Sequence, residues 1–188
     1  MIRKLTTACA LVSVCLLGLA SAAPVAAAGS PQRLPDVTAL IPRALRHMRA
    51  TRLCDKAVLY EADGTAANSR GTTSASGIVS WRFVFDNYPS HSRFKSATIG
   101  YGPPPKRFGP VRGNPQPFLE DLVIKKAPRM TLAEAVALLR GAGYRTRFFN
   151  VTLRDPLGPN PTGPLYIFGF SHRYVDVNIR TKKVSTAP

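Results

Sequence analysis

Cysteine is nearly missing from this chain. Of three, Cys9 and Cys15 lie within the first 28 residues and only Cys54 follows. Beyond residue 28 no disulfide can close within the chain, so a core must hold the fold together. Acidic residues are scarce too, 10 Asp+Glu against 26 Lys+Arg. Glu120 and Asp121 form the only adjacent acidic pair, and sequence neighbours rarely aim at one point. Glycosidase chemistry, which needs two converging carboxyls, is therefore disfavoured. The three histidines, His47, His91 and His172, have no second ligand at metal spacing. There is no GxSxG, HExxH, Walker loop, CxxC, or GxGxxG followed by a ribose-binding acid. No catalytic, cofactor-binding or metal-ligating residue is assigned, and nothing signals an oligomeric state.

What is present begins with a leader. Arg3 and Lys4 precede an uncharged stretch from Leu5 to Leu19. Ala20-Ser21-Ala22 and Ala26-Ala27-Ala28 then offer small-x-small cleavage sites. The pattern predicts a secretory signal peptide over 1–28, because the apolar core is too short to span a bilayer and no stop-transfer segment follows. A lipid anchor is disfavoured: Val14 before Cys15 is too large for a lipobox, and little apolar chain precedes Cys9. The expected product is soluble and extracellular. Loss of Arg3 and Lys4 leaves 24 Lys+Arg against 10 Asp+Glu. Such a surface attracts anionic wall polymers, nucleic acid, acidic headgroups or an acidic protein.

Periodicity divides the remaining chain into a first half over 29–102, a Pro-rich linker over 103–117 and a second half over 118–188. In the first half, Asp36 or Thr38 can cap a helix running to about Leu53. Its apolar face is Val37, Leu40, Ile41, Ala44, Leu45 and Met48; Arg43, Arg46, His47, Arg49 and Arg52 fall mostly opposite. Strands are expected over 57–62, 78–86 and 94–101, the first two separated by a loop from Asp63 to Gly77. Trp81, Phe83 and Phe85 alternate with Ser80, Arg82, Val84 and Asp86, which makes one aromatic core face. Six prolines between 103 and 117 exclude a helix or an interior strand there.

In the second half, Thr131-Leu132-Ala133-Glu134 fits a capping box, and Gly141 and Gly143 supply the helix stop. Strands are expected over 145–154, 165–170 and 174–179, with a loop from Pro156 to Pro164. Each half reads as one helix followed by three strands. The predicted fold class is therefore α+β, two similar αβββ halves with the helices on one face of an antiparallel sheet. Cys54 is expected to be a buried apolar side chain, with a reactive thiol or an interchain disulfide as alternatives.

The run Tyr174-Val175-Asp176-Val177-Asn178-Ile179-Arg180-Thr181-Lys182-Lys183-Val184 resembles the closing hairpin of PepSY-type and cystatin-like small secreted bacterial domains. Those usually carry glycine where this chain has Lys182. A tandem pair of such halves is similar in architecture to the secreted beta-lactamase inhibitor proteins. The resemblance implies a binding or inhibitory module rather than an enzyme.

Three functions follow as expectations. The first is a secreted, non-enzymatic, inhibitor-like protein that grips an extracellular protein with loops 63–77 and 156–164. The second is a binder of anionic polymers (cell wall, nucleic acid or membrane surface) through Arg43, Arg46, Arg49, Arg52, Lys106, Arg107, Arg112, Lys125 and Lys126. The third is a secreted hydrolase or nuclease using His91 or His172, or the two together as acid and base.

Overall fold

The structure is a computed structural model that describes residues 34–54, 56–87, 91–103, 107–158 and 163–186. The leader expected over 1–28 lies outside the described residues, and so does Lys106. The elements are α1 (Val37–Ala50), β1 (Val58–Ala66), β2 (Ile78–Asp86), β3 (Ser96–Tyr101), β4 (Arg112–Asn114), β5 (Asp121–Leu122), α2 (Leu132–Gly141), β6 (Asn150–Pro156), β7 (Leu165–Gly169), β8 (Tyr174–Asn178) and β9 (Val184–Thr186). A short 3-10 turn covers Ala75–Gly77.

This corrects the expected fold class. Among the described residues the chain is mainly one antiparallel sheet of nine strands with two α-helices, not two αβββ halves. The strands run in the order β4-β3-β2-β1-β6-β7-β8-β9, and β5 adds to β6. Five strands follow α1 and four follow α2, where three each had been expected. The physical reason is twofold. β1 pairs with β6 from Glu61↔Arg154 to Thr65↔Asn150, so one hydrogen-bonded ladder runs through both halves of the sequence. In addition, β4, β5 and β9 are two or three residues long, too short to show a period of two.

β1 also runs past the loop expected from Asp63. Asp63-Gly64-Thr65 has turn composition, yet it pairs on both sides, with Arg82 to Ser80 and with Thr152 to Asn150. A strand flanked by two partners overrides local turn preference. Gly64 is needed at this point: a Cβ would sit 2.9 Å from Ile78 Cγ2 and 2.9 Å from the Trp81 ring.

One face of the sheet carries the core. Trp81, Phe83 and Phe85 of β2 point there together, with Ala97, Ile99 and Tyr101 of β3. Val151, Leu153, Tyr166, Phe168, Val175 and Val177 continue the layer across the second half. Both helices lay their apolar stripes into the same cluster, and Cys54 is fully buried in it. Each fully buried Leu or Phe contributes about 1.5–3 kcal/mol, so a chain of this size needs no cross-link. Among the described residues there is no disulfide, and no helix is long and apolar enough to cross a membrane.

Asp36 joins the two helices. Its Oδ1 accepts the Thr38 N–H at 3.0 Å and so caps α1, while its Oδ2 accepts the Leu132 N–H at 3.0 Å at the start of α2. The Thr131/Glu134 capping box is formed as the sequence indicates, and α2 closes in a Schellman motif with Gly143 at φ +93.

The Pro-rich segment is stitched to β3. Phe108 bridges Tyr101, the Gly109 N–H donates to the Gly100 carbonyl, and β4 pairs Arg112 with Thr98. The Phe108 ring turns under α1, its centroid 4.9 Å from that of Tyr101 and 5.6 Å from that of His47. Residues 115–120 then cross the other face of the sheet at its lower end, from β3 to β6. Ser96 Oγ donates to the Gln116 carbonyl, Phe118 packs on Tyr60 with centroids 5.2 Å apart, and Arg154 reaches the Glu120 carbonyl. Below this strap Glu61, Asp86 and Ser96 are buried.

Candidate functional site

The face opposite the helices is polar, and the strand registers order it. One row runs Gly100, Arg82, Asp63, Thr152, Ile167, Asp176; the next runs Arg112, Thr98, Val84, Glu61, Arg154, Leu165. Arg82 donates to Asp63 Oδ2 from Nε at 2.9 Å and to Glu61 Oε1 from its terminal nitrogen at 2.8 Å. Thr152 Oγ1 donates to Asp63 Oδ1 at 2.9 Å, and Arg154 Nε to Asp121 Oδ1 at 2.7 Å. Burial, reinforced by the neighbouring Asp63, pushes the Glu61 carboxyl up to about 7 against the pull of Arg82. Burial also raises Asp121, against Arg154, and Asp176.

Above the strap, among the described residues, a recess of about 480 Å³ opens over β2, β3 and residues 107–112. Arg82, Arg107 and Arg112 stand around it, with the Ser80 and Thr98 side chains on the same strands. Gly100 forms part of the floor: a Cβ there would meet only the Trp81 carbonyl at 3.9 Å. No carboxylate lines the recess, and neither Arg107 nor Arg112 pairs with a described acidic residue. Arginine presents a planar fork of N–H donors, the form of donor that grips carboxylate or phosphate in two-point contact.

Of the described arginines and lysines singled out in the sequence, Arg107 and Arg112 meet here. Arg43, Arg46, Arg49 and Arg52 are exposed on and after α1, across the sheet from the recess. Part of that set has structural work. The Arg43 guanidinium lies 5.7 Å from the Tyr101 ring centroid, Arg49 donates to the Ala57 carbonyl, and Arg52 ends α1 in the left-handed conformation at φ +57. Lys125 and Lys126 are exposed beside Ile124, which bridges Leu59 at the lower end.

The two loops expected to make one contact edge lie at opposite ends of the sheet. Residues 67–77 leave the end of β1, which pairs with the start of β6; loop 157–164 leaves the end of β6. A nine-residue strand, roughly 30 Å long, separates them. His91 and His172 divide the same way, His91 following β2 at the lower end and His172 in the β7–β8 turn at the upper end. The strand directions keep them from acting as an acid–base pair. Among the described residues no three His, Cys, Asp or Glu side chains gather as a metal set.

Sequence reasoning did not single out Arg82 as a site residue. The alternation of β2 places this arginine on the face opposite Trp81, Phe83 and Phe85, which is the signal the sequence offers. No family model, no curated protein and no solved structure matches the chain.

Proposed function

We propose that this chain is a secreted, non-enzymatic, inhibitor-like binding protein. It recognises a macromolecular partner on the uncovered part of the open sheet face and takes an acidic segment of that partner into the arginine recess. The observation that carries this reading is that Arg107 and Arg112, which pair with no described acidic residue, border a glycine-floored hollow beside Arg82, whose own guanidinium is held by Asp63 and Glu61. Rigid strands position the contact surface, which keeps the ordering cost of binding low. The likeness of the 174–184 hairpin to small secreted binding modules supports it.

A second reading, a binder of anionic polymers, is favoured by the exposed arginines on α1. The two differ in where charge must be removed. R107A/R112A, or G100V filling the floor, is expected to abolish stoichiometric capture of an extracellular protein partner while leaving thermal stability unchanged. Replacing Arg43, Arg46 and Arg49 with Ala should spare that capture. If capture survives the recess variants, or if only retention on a polyanion column changes and follows the helix arginines with a steep salt dependence, the first reading fails and the second holds.

A further inference from the structure

At the other edge of the sheet, a recess of about 820 Å³ lies between α2 and the β8–β9 hairpin. Unlike the arginine recess, it is bordered by an acidic side chain as well as basic ones. Leu138, Ile179 and Val184 make its apolar wall, each packed against the core yet partly exposed. Met130, buried and fixed by the Tyr166 hydroxyl on its carbonyl at 2.9 Å, closes its inner end. Three cationic or anionic side chains stand at the rim: Arg129, Lys182 and Glu134. Glu134 Oε2 is occupied, accepting the Thr131 N–H at 2.6 Å and the Thr131 hydroxyl at 2.9 Å. Those contacts, with help from the Lys182 charge, hold the Glu134 carboxyl below the usual range. The rim is left with a net positive charge, and neither Arg129 nor Lys182 forms an ion pair with a described residue.

Two positions around this recess give up local stability with no packing reason. Gly141 occupies the last residue of α2, where a Cβ would meet nothing within 4 Å. Alanine would serve the helix better by roughly 1 kcal/mol. Lys182 holds φ +60, a left-handed conformation in which glycine is the unstrained choice. Its turn is made rigid by the Asn178 side chain, which accepts the Arg180 and Thr181 N–H groups at 3.0 and 2.8 Å. Local rules broken twice at one hollow mark a site kept open and charged for a ligand.

We propose that this recess binds a free single-chain amphiphile, its hydrocarbon chain over Leu138, Ile179 and Val184 and its anionic head against Lys182 and Arg129. Its volume falls within the roughly 300–1,000 Å³ of small-ligand sites. The inference does not depend on the arginine recess, and neither its success nor its failure bears on that reading.

The test is calorimetric titration of the full chain with sodium laurate below its micelle concentration. Dodecyltrimethylammonium is the oppositely charged control. Laurate is expected to bind one to one and the cationic analogue not to bind. K182G removes the head contact and relaxes the turn, so it should weaken laurate about tenfold without loss of thermal stability. G141L fills the hollow on a surface helix and should abolish binding while the protein stays folded. Absence of laurate binding, equal binding of both amphiphiles, or indifference to K182G and G141L would overturn the proposal. Tight binding to phosphatidylglycerol vesicles that is lost in the same variants would also overturn it, in favour of a membrane surface.

Discussion

The two edges of this sheet hold hollows that differ in the charges around them. At the β4 edge, residues 107–114 fold back along β3 and leave a recess bordered by Arg82, Arg107 and Arg112. At the β9 edge, a helix bearing Ala and Gly leaves an apolar trough with charge only at its rim. The strands between them are alike in pairing and in core composition. The segments at the sheet margins, residues 107–114 and α2, therefore complete each hollow, while the common ladder supplies position and, through Arg82, part of the charge.

The comparison can be broken most forcefully at the residue that links the two helices. D36A removes the carboxylate that caps α1 and holds the first N–H of α2. It is expected to cost about 2–3 kcal/mol, near the upper end of what two lost caps contribute. Thermal unfolding followed by circular dichroism should show a clear fall in Tm, with both recesses failing together. If D36A behaves like a surface substitution, the helices are not coupled through this residue.

A smaller effect separates the two sides. G64A pushes a Cβ against Ile78 and the Trp81 ring, beneath the arginine side of the sheet. A loss of about 1–2 kcal/mol in denaturant unfolding is expected, in the range of mild overpacking. Binding at the α2 trough should persist in the folded fraction.

The smallest effect depends on pH. The folded Glu61 carboxyl titrates near 7, above its unfolded value of 4.5, so the folded state holds the proton more tightly. Its ionisation therefore costs stability as pH rises from about 4.5 through 7, and below 4.5 there is no penalty. E61Q removes the penalty while its amide oxygen can still accept from Arg82. It should stabilise the protein by about 1 kcal/mol at pH 8 and have no effect at pH 4. Equal ΔΔG at both pH values would show that burial does not burden this carboxylate. The helix-side trough should show no matching dependence.

Local order was largely legible in the sequence. The aromatic alternation of β2, the capping box of α2 and the apolar stripe of α1 are local patterns whose period matches the element they form. The short strands were not legible. β4 carries only Arg-Gly-Asn and β5 only Asp-Leu, and they are strands because β3 and β6 offer open hydrogen-bonding edges. The arginine recess is half legible: charge points to Arg107 and Arg112, while the β2 alternation shows only that Arg82 faces away from the aromatic core. Nor could linear order show that loops 67–77 and 157–164 sit at opposite ends.

By itself, then, the sequence determined what depends on near neighbours: which residues turn inward, where α2 begins and stops, how basic the surface is, and that residues beyond 28 hold no disulfide. Only the tertiary structure decided that β1 pairs with β6 and merges the halves into one sheet, and which arginines meet. The reason is that side-chain period is encoded within a few residues, whereas strand partners are chosen by contacts that are distant in the chain and become available once the core has formed.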